Sequence, residues 1–271
     1  MVSVHAAIIL VNMFSEKGDG GQDPSPGAPP RRGRGRPPGA TQQAEETRRT
    51  LYRVATGLFA ARGYEETTLR EIAAEAGVSP GLLYRYFPSK RAVVLALYDE
   101  LSREFEERTR EIPPGRWRDR FAFALETSLD VLRPHRGTLV ALVPTLVGGR
   151  DESLFAPATA FSRERVQGAF VSAVTGATDA PRGADAGALG RALDLAHLSV
   201  LLFWLLDRSE GQRATARLVA VIQRMLPSFA VAFRLRLVRG FVRELDAIAR
   251  SALYGPAEHG DATGVEGGVT G

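Results

Sequence analysis

The sequence predicts an all-α protein, in which three short helices near the N-terminus precede a larger bundle of longer helices. Apolar residues recur at spacings of three and four between residues 41 and 254, which is the period of one face of an α-helix. Residues that commonly begin or end helices stand between these segments. No segment shows a convincing strand pattern, so helices alone define the predicted fold class.

The first predicted helix extends from about Thr41 to Gly63. Its apolar residues fall at positions i, i+3, i+4, i+7 and i+8, namely Leu51, Val54, Ala55, Leu58 and Phe59. Gly63 is placed to end the helix, because glycine readily adopts the left-handed conformation found at many helix C-termini. One side of this helix should therefore pack against the helices that follow.

Capping residues predict two further short helices. Thr67 or Thr68 begins the second helix, and Glu71, three residues after Thr68, completes a capping box. Gly77 ends that helix, and Ser79 caps a third helix that runs to about residue 87. Two helices joined by so short a turn are typical of a helix-turn-helix.

The remaining segments also have helical spacing. Pro88 ends the third helix, and Ser89 caps a long fourth helix that Pro113 closes. Further helices are predicted over residues 121–132, 139–147, 161–174, 189–207 and 212–225, and over 229–254 after an interruption at Pro227. A flexible connection rich in glycine, alanine and aspartate is predicted from residue 176 to residue 187.

The composition argues against several classes of protein. The chain has no cysteine, which excludes disulfides, thiolate catalysis and cysteine-based zinc sites. Its histidines are widely scattered, and it contains no Walker loop or nucleophile elbow, so we predict no catalytic residue, no metal site, no cofactor and no enzyme activity. No segment resembles a membrane span, which favours a cytoplasmic protein without a membrane partner.

Positive charge is concentrated towards the N-terminus. Residues 31–91 contain twelve arginines or lysines and six glutamates, so the rest of the chain is slightly acidic. This distribution favours a polyanion partner at one end of the molecule. Random scatter of an arginine-biased composition is the alternative explanation.

The segment from Thr47 to Asp99 resembles the DNA-binding domain of the TetR family of transcriptional regulators. The matching motifs are Leu58-Phe59, Gly63-Tyr64, Thr67-Thr68, Ile72-Ala73, Ala76-Gly77-Val78-Ser79, Leu83-Tyr84-Tyr86-Phe87 and Ser89-Lys90. The resemblance implies a homodimer that binds a double-stranded DNA operator, usually as a repressor released by a small-molecule effector. An activator, or a regulator that senses a protein partner on the same fold, is the alternative.

The resemblance also implies roles for individual residues. Thr68 and Lys90 would bond phosphates, while Ser79, Tyr84 and Tyr86 would contact the DNA backbone, Tyr84 also lying near a base. Pro80 and Gly81 would lie closest to the base edges. We expect Val78, Leu83 and Phe87 to be buried, and the residues at 80, 81, 84 and 86 to face solvent or DNA.

A basic arm precedes the first helix. Arg34-Gly35-Arg36-Pro37 resembles an AT-hook, an extended segment that lies in the minor groove. Glycine allows a close approach to the groove floor, and the arginines Arg34 and Arg36 would follow its negative potential. A solubilising linker is the alternative, but the adjacent helix-turn-helix favours contact with the minor groove.

The sequence thus divides into four predicted regions. These are a disordered basic arm (1–40), a three-helix helix-turn-helix DNA-binding domain (41–90), a helical-bundle ligand-binding and dimerisation domain (91–255) and a disordered tail (256–271). The helix around His197 is apolar nearly all round, which favours burial on both sides in a dimer, with a deep monomeric core as the alternative. Candidate effector contacts are Phe121, Leu125, Leu142, Phe161, His197 and Trp204, although composition favours plain core over ligand contact for any one of them.

Overall fold

A computed structural model describes residues 38–147, 153 and 155–254 of the chain. Residues 1–37 of the predicted basic arm, with Arg34 and Arg36, and the predicted tail lie outside these residues, whereas residues 38–40, predicted as the end of that arm, already belong to the first helix. The described part contains ten α-helices and no strand: α1 (Pro38–Arg62), α2 (Leu69–Glu75), α3 (Pro80–Tyr86), α4 (Lys90–Thr109), α5 (Trp117–Leu132), α6 (Arg136–Val147), α7 (Ala160–Thr175), α8 (Ala184–Leu206), α9 (Arg213–Ala232) and α10 (Arg236–Tyr254). The predicted all-α class is confirmed.

Two predicted boundaries in the second half are wrong. Helix α9 continues through Pro227 to Ala232, and the chain turns only at residues 233–235, where α9 and α10 form a bend of 115°. Packing carries α9 past the proline, because Phe229 contacts Trp117 edge-on with ring centroids 6.1 Å apart. Helix α8 begins at Ala184, inside the predicted flexible connection, and its buried Asp185 forms an ion pair with Arg243.

The buried side chains form two clusters that share helix α4. The first cluster joins the apolar side of α1–α3 to Val93 and Leu97 of α4, and also includes Leu142 of α6 and Trp204 of α8. The second cluster contains Phe105 at the other end of α4 and side chains from α5, α7, α8, α9 and α10. The core of the helix-turn-helix is therefore not separate from the rest of the bundle, because side chains of α4, α6 and α8 complete its packing.

Helix α8 forms the centre of the second half of the molecule. By length and composition it is apolar enough to cross a membrane, contrary to the sequence prediction, and the bent α9–α10 pair passes that test only if both helices are counted as one span. In the structure, α8 instead packs between α7 and α10 and buries Asp194 and His197. Buried Asp246 of α10 accepts two hydrogen bonds from Arg191 of α8, at 2.6 and 2.7 Å. These contacts are those of a core helix in a bundle.

Candidate nucleic-acid interface

The turn between α2 and α3 has the geometry that the sequence predicts. Gly77 has φ +65°, a left-handed conformation that favours glycine. The Ser79 side chain accepts a hydrogen bond from the backbone N–H of Leu82 at 3.2 Å, and Pro80 occupies the first turn of α3. Because the Ser79 hydroxyl acts here as an acceptor, its own hydrogen can be donated to a phosphate.

Helix α3 has one buried side and one exposed side. Leu83 and Phe87 are almost fully buried, whereas Pro80, Gly81 and Tyr84 are exposed, Tyr84 to 48%. Val78 is only partly buried.

Tyr86 is only partly exposed, and less so than Tyr84. Its ring is partly buried and packs against the first cluster. Tyr86 follows Leu83 by three residues, which places both side chains on the same face of the helix.

Lys90 has a structural role that the sequence did not predict. Its ammonium donates hydrogen bonds to the carbonyl oxygens of Tyr64 at 2.7 Å and Glu65 at 3.2 Å, and lies 4.5 Å from the centroid of the Tyr64 ring. The lysine therefore joins the start of α4 to the loop after α1. A phosphate would share the ammonium with these carbonyls, since an ammonium carries three donors.

Thr68 is fully engaged in its capping box. Its backbone N–H and its hydroxyl both donate to the Glu71 carboxylate at 2.8 Å, and the hydroxyl accepts from the Glu71 N–H at 3.2 Å. These hydrogen bonds lower the pKa of the Glu71 carboxylate, and the bond from the Thr68 backbone N–H has the largest effect. A phosphate at Thr68 would have to compete with this carboxylate for the same donors.

Two arginines complete the exposed surface, Arg85 on α3 and Arg48 on the neighbouring α1. The guanidinium of Arg48, on α1, lies 5.5 Å from the centroid of the Phe87 ring, and that of Arg85 lies 6.0 Å from the Tyr86 ring. Both arginines are exposed. Arg48 lies 39 positions before Phe87 in the sequence, so no local pattern could have placed it against the end of α3.

The predicted effector contacts divide between the two clusters. Leu142 and Trp204 belong to the first cluster, whereas Phe121 and Leu125 lie in the second. Phe161 is 37% exposed, so its assignment to an interior pocket is wrong. The buried residues of α7 are Ser162, Phe170, Ala173 and Val174, and Phe161 precedes the first of them on an adjoining side of the helix.

His197 forms a polar group inside the second cluster. Its Nε2 lies 2.8 Å from the Ser128 hydroxyl, and its Nδ1 lies 3.6 Å from Asp194 Oδ1. All three side chains are buried, and the imidazole packs on the Phe170 ring with centroids 4.6 Å apart. Both Nδ1 and Asp194 Oδ1 lack a hydrogen-bond partner within the described residues. Asp194 could have been found from the sequence, since it lies three positions before His197 on the same apolar helix.

Neither His197 nor any other part of the described chain offers a metal centre, because no group of three histidine, aspartate or glutamate side chains converges there. The pair of unsatisfied atoms at His197 and Asp194 can instead donate to or accept from a polar group of an organic molecule. Ser128 adds a hydroxyl on the opposite side of the imidazole.

Helix α6 connects the end of α8 to α1. The Arg136 guanidinium donates to the carbonyl oxygens of Trp204 at 3.1 Å, Leu205 at 3.2 Å and Asp207 at 2.8 Å. Two residues further along α6, the Thr138 hydroxyl donates to the carbonyl of Thr56 on α1 at 3.0 Å. Arg136 and Thr138 thus join the end of α8 to α1, the helix that packs against α2.

Comparisons with known proteins agree with this architecture. Residues 49–97 match the family model described as "Bacterial regulatory proteins, tetR family". The HTH-type transcriptional repressor KstR2 of Rhodococcus jostii is 37% identical over 118 residues, which is 43% of this chain and 50% of that protein. The chain thus spans about half the length, or less, of the first curated relatives that it matches.

Solved structures show the same fold over more of the chain. A tetR-family transcriptional regulator from Streptomyces coelicolor has a TM-score of 0.50 at 24% identity, covering 75% of this chain and 89% of that one. FadR from Bacillus subtilis, solved in complex with stearoyl-CoA, has a TM-score of 0.53 at 19% identity, covering 66% and 96%. The match over residues 49–97 and the helix-turn-helix geometry identify this part of the chain as a DNA-binding domain of the tetR family, and the solved structures share the fold of the wider chain.

Proposed function

We propose that the chain is a homodimeric transcriptional repressor that binds operator DNA through α2 and α3 and is released by a small-molecule effector. The observation that supports this most directly is the exposed side of α3. An aromatic hydroxyl, a helix-capping serine and an arginine lie there on one surface (Tyr84, Ser79 and Arg85), beside the exposed Arg48. The similar protein KstR2 of Rhodococcus jostii is named a transcriptional repressor.

The contacts we propose follow from what each side chain has available. Tyr84 and Ser79 offer hydroxyls to the DNA backbone, while Pro80 and Gly81 allow the helix to approach the base edges closely. Arg48 and Arg85 supply positive charge beside them. Thr68, Tyr86 and Lys90 also support the fold, so their contacts with DNA would be secondary. Arg34 and Arg36 would extend binding into the minor groove.

The homodimer is supported by an apolar surface on α10 that is largely exposed in the described chain. Leu237, Phe241 and Ile248 are 85%, 65% and 60% exposed, while Val242 on another side of the same helix packs towards α8. A second copy of the chain would cover this stripe and place two helix-turn-helix units on two half-sites. A cytoplasmic location follows from the same proposal, since the operator is there.

The effector site we propose surrounds His197. Its imidazole, the Asp194 carboxylate and the Ser128 hydroxyl form a polar group in an otherwise aromatic part of the core. An apolar molecule with one hydrogen-bonding group would satisfy the two unpaired atoms there. Helix α8 then connects this group to the carbonyls held by Arg136.

DNA binding is tested by titrating the full chain against the DNA upstream of its own gene at two salt concentrations. We expect Tyr84→Ala and Arg85→Gln each to weaken binding by at least about tenfold, because each removes a backbone contact without removing a buried side chain. Arg85→Gln should also reduce the salt slope by about 0.9, the value for one phosphate contact. Arg224→Gln, an exposed substitution on α9, is the matched control. Unchanged binding by both test variants would contradict the proposed interface.

The dimer is tested separately by sedimentation equilibrium. Phe241→Asp should convert the dimer to monomer, because a carboxylate would be buried at the centre of the proposed interface. Phe123→Asp, at a partly exposed position on α5, should leave the dimer intact. A dimer that persists in Phe241→Asp would place the interface elsewhere.

A further inference from the structure

A cavity of about 400 Å³ lies at the end of the bundle formed by the start of α5, the α7–α8 connection and the corner between α9 and α10. It is separate from the His197 group and from the helix-turn-helix. Helix α8 runs from Ala184 beside the cavity to Leu206 beside the first cluster, which is a distance of about 33 Å at the rise of an α-helix. The cavity therefore lies at the opposite end of α8 from the surface proposed to bind DNA.

The lining of this cavity combines apolar side chains with charged ones. Trp117, Pro227 and Phe233 contribute the apolar part of the lining, and the side chains of Trp117 and Phe233 are almost fully buried. Five arginines line the cavity, whereas its acidic residues are only two: Arg116, Arg118, Arg182, Arg234 and Arg239, with Asp179 and Asp185. The lining therefore carries a clear excess of positive charge above an apolar surface.

The acidic residues of the lining are already engaged. Asp179 accepts a hydrogen bond from the backbone N–H of Trp117 at 2.8 Å, and Asp185 forms ion pairs with Arg243 and, at 3.6 Å, with Arg239. By contrast, the guanidinium groups of Arg116, Arg182 and Arg234 have no hydrogen-bond or ion-pair partner in the described part of the chain. Three guanidinium groups are thus available to the same cavity.

The walls of the cavity are held by contacts that do not involve these three arginines. Arg120 donates to the carbonyl oxygens of Ile112 and Pro113 before α5, at 3.2 and 3.0 Å. The same side chain donates to the carbonyl of Ala173 near the end of α7 at 2.8 Å. Arg120 therefore joins the segment that leads into α5 to the end of α7, next to the two segments that contribute Arg116 and Arg182 to the cavity.

We propose that this cavity binds an amphipathic organic anion, whose phosphate, sulfonate or carboxylate group contacts Arg116, Arg182 and Arg234 while its apolar part lies against Trp117 and Phe233. Guanidinium groups form strong, charge-assisted hydrogen bonds with such anions. The volume is within the range of small-molecule sites and exceeds what an inorganic ion fills. The bound molecule would connect α5, the α7–α8 connection and the α9–α10 corner.

Calorimetric titration of the full chain with 2-naphthyl phosphate tests the proposal in the absence of DNA, so its outcome is independent of the proposed operator binding. We expect saturable binding that is at least about tenfold weaker in the triple variant Arg116→Gln, Arg182→Gln, Arg234→Gln, since each substitution removes a charge-assisted hydrogen bond to the anion. Arg224→Gln is the matched control on α9 and should bind like the original chain. Thermal unfolding of each variant verifies that it is folded.

Two further probes test the apolar contacts and the arginine contacts separately. Inorganic phosphate and uncharged 2-naphthol should each bind at least about tenfold more weakly than 2-naphthyl phosphate, because each lacks one half of the recognition. Equal affinity for inorganic phosphate would overturn the apolar part of the assignment, and equal affinity for 2-naphthol would overturn the role of the arginines. Absence of saturable binding, or equal binding by the triple variant, would overturn the site itself.

Discussion

Substitution of Gly190 by alanine should destabilise the protein, even though alanine favours helices. Gly190 lies in α8 where that helix approaches α7 most closely, and a Cβ atom there would lie 2.6 Å from Val171 Cα and 3.1 Å from Val171 Cγ2. The first contact involves backbone, so the two helices must separate, at a cost of about 3 kcal/mol typical of overpacking. Higher helix propensity returns about 1 kcal/mol, which leaves a net loss of about 2 kcal/mol in the free energy of unfolding.

Urea denaturation followed by circular dichroism measures this loss, and Gly168→Ala provides the matched control. Gly168 is exposed within α7, and no atom lies within 4 Å of the position that its Cβ would occupy. Alanine at 168 should therefore raise the free energy of unfolding by up to about 1 kcal/mol. The two glycine substitutions thus have opposite expected signs. Equal stabilisation by both would refute the close approach of α7 and α8.

Three further substitutions give separate expectations. Because folding lowers the pKa of Glu71, its ionised carboxylate stabilises the protein above its ordinary pKa, and this stability is lost as the pH falls through the folded pKa. The difference in melting temperature between the original chain and Glu71→Gln should therefore become smaller in acid. A constant difference from pH 7 to about pH 3 would contradict this expectation. Arg136→Gln should lower the free energy of unfolding by about 1.5 kcal/mol or more in urea titrations, because three carbonyl oxygens at the end of α8 lose a charged donor. An unchanged free energy of unfolding would indicate that these hydrogen bonds do not hold α6 to α8. Pro227→Ala should stabilise α9 by up to about 3 kcal/mol, since it restores an interior hydrogen bond, whereas a loss of stability would show that the proline shapes the helix.

The helix-turn-helix could be predicted from sequence because its determinants are local. The capping box joins Thr68 to Glu71, and the Ser79 cap joins residues that are also three positions apart. Gly77 has the left-handed φ that its position between two caps requires. Each of these features involves only residues that are close in sequence, so its formation depends little on tertiary contacts.

The roles of exposed and interior residues depended on contacts that are distant in sequence. Lys90 binds the carbonyl of Tyr64, which is 26 positions away, and His197 contacts Ser128, which is 69 positions away. Periodicity indicates that a residue such as Phe161 is apolar and helical, but the side of α7 that is buried depends on how α5 and α8 pack against it. The continuation of α9 past Pro227 likewise depends on the contact between Phe229 and Trp117.

The shared packing of α8 gives the proposed regulation a mechanical basis. His197 and Trp204 are seven residues apart on this helix, which corresponds to about 10 Å. One side chain belongs to the polar group in the second cluster, and the other packs in the first cluster with the helices that support α3. A ligand that moved α8 at His197 would necessarily displace Trp204 or the carbonyls held by Arg136, because a continuous helix transmits a shift along its axis. The distance between the two helix-turn-helix units of a dimer would then change, and with it the fit to two half-sites.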